Sequence, residues 1–246
     1  MGTICAAYKE LITMEGSDNM RINEIYPAIQ GEAMYSGIPM IFVRTEYCNL
    51  RCTWCDSKYT FNEGSEMDLS TILDKVSKLS NGNVNWVCLT GGEPLLQQDS
   101  YKLSKELVKR GYKILLETSG SLSIDKFYFH NIPHYEGDGI YIDCDYKLPS
   151  SGMNKFDWNN VNTLTENDYL KMVVADKNDY DMMLKVVFKI QNYYSSKKIP
   201  IYIQPAWGSS KEFMQYIFHD IVDNKRQIRL SLQSHKIIFD ADTRGV

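Results

Sequence analysis

Residues 85–94 read NWVCLTGGEP: a β-rich apolar run from Asn85 to Thr90, then two adjacent glycines, then Glu93 and Pro94. Paired glycines let the backbone turn sharply and bring its N–H and C=O groups against a ligand with no Cβ in the way. A glycine turn at the C-terminal end of a strand is where α/β proteins place binding sites, although such a pair by itself also reads as a plain turn.

Working outward, similar apolar runs recur on both sides. IPMIFVR (Ile38 to Arg44) precedes the stretch, and YKILLET (Tyr112 to Thr118), GIYIDCD (Gly139 to Asp145), YLKMVVA (Tyr169 to Ala175), PIYIQP (Pro200 to Pro205) and QIRLSLQ (Gln227 to Gln233) follow it. RINEIYPAI, directly after Met20, reads as a further strand. Between the strands, Leu69, Ile72, Leu73, Val76 and Leu79 recur at helical spacing behind Asp68, which suits an N-cap. Leu103 with Leu107, the run Met182, Met183, Val186, Val187 and Ile190, and Phe213, Tyr216, Ile217 and Ile221 predict three more helices. Strand and helix in alternation predict a parallel sheet covered by helices, and nearly unbroken apolar strands predict burial on both faces. The expected architecture is an α/β fold, a partial (β/α) parallel barrel, as one domain over residues 20–246. Residues 1–19 are polar and weakly patterned and read as an N-terminal extension.

The chain has 246 residues, 43% hydrophobic and 24% charged, with a formal net charge of −4, so it carries no overall basic field for a nucleic-acid backbone. Direct nucleic-acid binding is therefore not expected. No apolar run approaches the roughly 18 residues that cross a bilayer, and no basic start followed by an apolar stretch opens the chain. A cytoplasmic protein is expected. The cysteines are Cys5, Cys48, Cys52, Cys55, Cys88 and Cys144. Three of them form C-x3-C-x2-C in CNLRCTWCD, residues 48–56. A structural zinc ion normally has four closed ligands, and no fourth lies nearby. Three thiolates on a [4Fe–4S] cluster leave one iron open to a small molecule. Zinc completed by a distant Cys88, Cys144 or His235, or three plain loop thiols, are the alternatives on spacing alone.

C-x3-C-x2-C followed by a strand that ends in GGEP resembles the radical S-adenosylmethionine (SAM) enzymes. The resemblance implies a partial parallel barrel, a [4Fe–4S] cluster on Cys48, Cys52 and Cys55, and SAM at the open iron as the source of a 5′-deoxyadenosyl radical. Within that superfamily, RINEIYPAIQGEAMYSGIPMIFVRTEYCNLRCTWCDSKYTF, TGGEPLLQ, ETSGS, DYKLPSSGM, QPA and the terminal LQSHKIIFDADTRGV are similar to the 7-carboxy-7-deazaguanine synthase family of queuosine and deazapurine biosynthesis, from Arg21 to Val246. That family converts 6-carboxy-5,6,7,8-tetrahydropterin to 7-carboxy-7-deazaguanine with release of ammonia, and also uses Mg²⁺. Carried onto this sequence, the resemblance implies that Arg44 pairs with the pterin carboxylate, that Gln30, Gly31 and Thr90 contact the pterin, and that His235 and the Val246 carboxylate close the pocket. Trp54, Asp56, Gly92, Asp145, Lys147 and Gln204 fall where the family contacts SAM, and Ser57, in place of the usual Thr, keeps a hydroxyl for Mg²⁺. Ala33 and Ser119 depart from the family's common Gly and Asn.

Each assignment has a plainer reading: Arg44 as a surface ion pair, Lys147 as a solvated charge, Gln204 as a strand terminator and His235 as a structural histidine at a strand exit. Glu32, Glu93 and Glu117 remain unranked acid–base or SAM contacts. The resemblance implies a homodimer and a flavodoxin- or ferredoxin-type reductant, with no membrane partner. A small glycyl-radical activating enzyme shares the cysteine spacing and is the alternative activity; a metal-binding or electron-transfer module is the non-catalytic one.

Overall fold

The computed structural model describes residues 18–127 and 139–246. Residues 1–17, and with them most of the expected extension and Cys5, lie outside the described residues. Nine strands form one sheet: β1 (Asn19–Ile29), β2 (Pro39–Thr45), β3 (Ser65–Asp68), β4 (Trp86–Gly91), β5 (Lys113–Thr118), β6 (Ile140–Asp145), β7 (Tyr169–Val174), β8 (Ile201–Pro205) and β9 (Arg229–Leu230). Their order is β3-β1-β2-β4-β5-β6-β7-β8-β9. From β2 to β9 every pairing is parallel, while β1 runs antiparallel to both β2 and β3. This is a mixed α/β partial barrel with an antiparallel margin. The margin is where the fold departs from a purely parallel sheet, because a nine-residue connection from β1 to β2 is too short for the helical crossover that parallel neighbours need.

The helices are α1 (Leu69–Ser80), α2 (Asp99–Lys109), α3 (Asn160–Thr163), α4 (Lys177–Tyr193), α5 (Lys211–Asp223) and α6 (Ser234–Ile238). Asp68 caps α1 as its position predicts, accepting from the Thr71 amide at 2.8 Å. Asp176 and Ser210 cap α4 and α5 in the same way. Two expectations differ. The strand expected over residues 227–233 shrinks to Arg229–Leu230 at the sheet edge, where Leu230 and Leu232 stay exposed. His235 lies in the short helix α6 and not at a strand exit.

Strand side chains alternate between two faces. Ile41, Val43, Val87, Leu89, Ile114, Leu116, Ile142, Leu170, Met172, Ile201 and Ile203 point outward and form the main core with Ile72, Val76, Leu103, Leu107, Met183, Val186 and Ile217 of the helices. The inward phase holds Phe42, Cys88, Leu115, Tyr141, Tyr169 and Tyr202 in a second core. Tyr35, from the turn Ala33–Tyr35, packs its ring on Trp86, Tyr141 and Tyr169 at centroid distances of 5.0, 5.3 and 6.1 Å. That aromatic layer fills the strands' N-terminal end and leaves their C-terminal end for the site.

Candidate active site

Two residues beyond each inward core residue, on the same face, stands a polar one: Arg44 after Phe42, Thr90 after Cys88, Glu117 after Leu115, Asp143 after Tyr141, Lys171 after Tyr169 and Gln204 after Tyr202. All six line one cavity of about 310 Å³. Parallel register sets Arg44 beside Thr90 and Glu117 beside Asp143, and brings Asp145, the next inward residue of β6, beside Lys171. The period-two repeat of the strands thus converts an aromatic layer into a polar one in a single step.

The cysteine loop follows β2 and the glycine turn follows β4, its neighbour. A Cβ on Gly92 would lie 2.2 Å from the Tyr47 carbonyl oxygen and 2.9 Å from Cys48 Cβ, so only glycine lets the turn nest against the start of that loop. Cys48, Cys52 and Cys55 all face the cavity as free thiols. Burial pushes the Cys48 thiol up to about 12 and raises Cys52 and Cys55 as well, so these sulfurs become thiolates on binding metal and not before. Among the described residues no three His, Cys, Asp or Glu side chains stand close enough to hold a single metal ion. Three free thiols on one cavity are a donor set that a [4Fe–4S] cluster takes. Cys88 and Cys144 are buried in β4 and β6, away from the cavity lining.

On one wall, Lys147 pairs with Asp145 at 2.8 Å and lies 5.3 Å from the centroid of the Trp54 ring, whose Nε1 donates to Ser150 Oγ at 2.9 Å. Lys147 is held and mostly buried, which removes its reading as a solvated charge. Asp145 Oδ1 is buried without a hydrogen-bond partner. Gln204 is buried, and its side-chain oxygen accepts from Ser231 Oγ at 3.2 Å.

Opposite, Arg44 has only 15% of its side chain exposed, so it is no surface ion pair. It donates to the Tyr26 hydroxyl at 2.9 Å, its Nε lacks a hydrogen-bond partner, and Glu24 stands 4.0 Å away. Gln30 donates to Glu117 at 2.8 Å and accepts from the Glu32 amide at 3.1 Å. A Cβ on Gly31 would meet His235 Nδ1 at 2.4 Å, and the Gly31 carbonyl accepts from the Ser234 amide at 3.0 Å, so α6 docks against this segment. Burial lowers the His235 pKa, which favours a neutral imidazole. Ser57 Oγ donates to Asp56 at 3.0 Å, and Lys236 reaches the other oxygen of that carboxylate at 2.7 Å. The Val246 terminus lines the same cavity. Every residue that the resemblance assigned to the cluster, SAM, Mg²⁺ or the pterin lines this one cavity.

It adds residues that the sequence reading missed. Lys171 is buried between Glu32 at 2.7 Å and Asp143 at 2.8 Å, and Gln233 donates to the other Glu32 oxygen at 2.8 Å. Burial raises Glu32, but Lys171 and Gln233 override it and hold the carboxyl at about 2. Burial takes Asp143 to about 7 against the pull of Lys171. A charged residue at the inward phase of an apolar strand, Lys171 in YLKMVV and Asp143 in YIDCD, was the available signal. The three glutamates also separate. Glu93 is fully buried, accepts from Ser119 N, Thr118 Oγ1 and Leu95 N at 2.9, 2.8 and 3.1 Å, and is absent from the lining, so it ties the glycine turn to β5. Glu32 and Glu117 face the cavity. Ser119 supplies part of that tie through its hydroxyl as well. Ala33 sits at φ +50°, in the left-handed region that favours glycine, which accounts for the family's preference there.

Comparison with known proteins agrees with this geometry. The radical SAM superfamily matches residues 42–131, which carry the cysteine loop and the glycine turn. A 7-carboxy-7-deazaguanine synthase of Thermoplasma acidophilum is 41% identical over 228 residues, covering 92% of this chain and 100% of the relative. One of Koribacter versatilis is 38% identical over 239 residues, again covering 92% and 100%. The chain belongs to the 7-carboxy-7-deazaguanine synthase family. The crystal structure of QueE from Escherichia coli shares the fold with a TM-score of 0.69 at 21% identity, over 92% of this chain and 99% of that one. Streptococcus suis SuiB bound to S-adenosylmethionine shares it with a TM-score of 0.53 at 15% identity, over 76% of this chain and 48% of that one. The family is one of radical SAM enzymes, whose cofactors are a [4Fe–4S] cluster, SAM and Mg²⁺. The three free thiols fit the first, and the oxygen donors of Ser57 and Asp56 are of the hard type that Mg²⁺ takes.

Proposed function

We propose that this chain converts 6-carboxy-5,6,7,8-tetrahydropterin to 7-carboxy-7-deazaguanine with loss of ammonia, in the cavity at the C-terminal end of the strands. The observation that supports it most is the pairing of a buried, incompletely bonded Arg44 on one wall with three free thiols on the same cavity. When bound, the cluster and SAM would supply the hydrogen-abstracting radical chemistry that the reaction at the pterin C6 needs.

The chain's part is orientation and exclusion of water. Cys48, Cys52 and Cys55 would hold the cluster. Gly92 gives SAM access to the backbone of the turn, while Trp54, Asp56, Asp145, Lys147 and Gln204 hold its remaining groups. Arg44 grips the substrate carboxylate with its planar fork, for which Tyr26 and Glu24 already fix the orientation. Gln30, Gly31, Thr90, His235 and the Val246 carboxylate fix the ring, and Ser57 offers its hydroxyl to Mg²⁺. The aromatic layer around Tyr35 closes the opposite end of the barrel to solvent that would quench a radical. Residues 20–246 act as a single domain, in a homodimer that draws electrons from a flavodoxin- or ferredoxin-type protein.

The test is anaerobic turnover of the reconstituted protein with dithionite, SAM, Mg²⁺ and the carboxypterin, followed by mass. The expected result is 7-carboxy-7-deazaguanine. SAM cleaved with the pterin recovered intact would overturn the substrate and leave the radical chemistry standing.

A further inference from the structure

The chain ends in Arg244, Gly245 and Val246, and only the last of these lines the cavity. Arg244 is fastened outside it. Arg244 donates to Glu24 Oε1 through Nε at 2.9 Å, approaches the same oxygen through Nη2 at 2.8 Å, and reaches Glu63 at 3.2 Å and Asn23 at 3.3 Å. Its guanidinium carbon lies 3.7 Å from the centroid of the Tyr59 ring. Among the described residues, every side-chain hydrogen bond from residues 240–246 to the rest of the chain comes from Arg244. Gly245, at φ +75°, turns the chain between the fastening and the terminus. The segment just before is loosely seated, with Ile237, Ile238 and Phe239 exposed at 65%, 70% and 46%.

Glu24 has a second neighbour. Its Oε1 takes Arg244, and its Oε2 stands 4.0 Å from Arg44 Nε. One carboxylate on β1 therefore faces both the arginine that fastens the tail and the arginine that faces the cavity. An isolated exposed ion pair contributes little, but a planar cation shared by two carboxylates, an amide oxygen and an aromatic face has few alternative poses.

We propose that Arg244 is a positioning residue: clamped on Glu24, Glu63 and Tyr59, it presents the Val246 carboxylate to the bound carboxypterin. This rests on the reading of Val246 as a substrate contact. The carboxylate is an acceptor only, suited to the N–H groups of the pterin, and a terminus free to swing would present it at a fraction of the local concentration.

The experiment compares wild type, Arg244→Ala, Arg244→Lys, a chain lacking Val246, and the double variant, each without a C-terminal tag. Carboxypeptidase Y release of valine reads the clamp with no substrate present, and steady-state KM and kcat for the carboxypterin read its consequence. Valine should be released slowly from wild type and at least tenfold faster from Arg244→Ala, with Arg244→Lys between them. KM should rise roughly tenfold in Arg244→Ala with a smaller change in kcat, and the double variant should be no worse than the Val246 deletion alone. Equal valine release from wild type and Arg244→Ala would overturn the clamp. Faster release with an unmoved KM, or effects that multiply in the double variant, would overturn its role toward substrate. A wild type that leaves the carboxypterin untouched would instead overturn the functional reading, and the valine release would still decide the clamp.

Discussion

Replacing Lys171 by Met tests how the polar layer is held together. In the folded protein this ammonium lies between Glu32 and Asp143, at 2.7 and 2.8 Å, with 8% of its side chain exposed. Removing one partner of a buried ion pair costs about 3–5 kcal/mol, since the charge left behind has neither water nor counterion. For a chain of this size roughly 2–4 °C of melting temperature is lost per kcal/mol, so a fall of about 6–20 °C is expected. The loss must also depend on pH. Lys171 holds the Glu32 carboxyl at about 2 and opposes the burial that takes Asp143 to about 7. Without it both folded-state pKa values rise, so the native variant binds more protons than its unfolded chain and loses stability as pH rises through those values. In wild type, by contrast, the Glu32 contribution is present above its ordinary carboxylate value and fades only as pH falls toward about 2. The deficit of Lys171→Met should therefore be roughly 1–3 kcal/mol smaller at about pH 5.5 than at about pH 8. Urea denaturation followed by far-UV circular dichroism at both pH values measures it, and the double variant Lys171→Met with Asp143→Leu should recover part of the loss. A deficit under about 1 kcal/mol, or one equal at the two pH values, would refute the argument.

Arg44→Ala should raise KM for the carboxypterin roughly ten- to hundredfold, the worth of hydrogen bonds to a charged group, with Arg44→Lys restoring only part because it lacks the fork; an unchanged KM in steady-state kinetics would count against the assigned pairing. Ser57→Ala should lose Mg²⁺ stimulation of turnover, measured by titrating Mg²⁺, and full stimulation in that variant would remove Ser57 as a ligand. Ala33→Gly relieves a left-handed residue at φ +50°, and should leave stability unchanged or raise it by up to about 1 kcal/mol, because the relief exceeds the entropy gained by the unfolded chain. A melting temperature several degrees below wild type would contradict that.

Much of this was legible in the sequence, for physical reasons that differ by element. The parallel strands β2 and β4 to β8 are short apolar runs ended by turns, and burial on both faces writes that signal plainly. The cysteine loop and the glycine turn carry chemistry that few other arrangements need. Strand β3, Ser-Glu-Met-Asp, was not visible because it lies largely exposed at the sheet margin and owes its pairing to β1. Strand β9 was overestimated because Leu230 and Leu232 have the alternation of a strand but, among the described residues, no neighbour beyond them to pair with. Lys171 and Asp143 were hidden by the habit of reading an apolar strand as uniform core. Counting two residues past each inward aromatic finds both. The bond from Lys236 to Asp56 joins residues 180 apart in sequence, and only the folded chain shows it.

The most direct test of the central claim, that this cavity orients the pterin C6 toward a SAM-derived radical, uses carboxypterin deuterated at C6 in the anaerobic reaction. The account predicts 7-carboxy-7-deazaguanine together with deuterium in recovered SAM, and neither in Cys48→Ala. Product formed with all deuterium released to solvent, or product from Cys48→Ala, would contradict it.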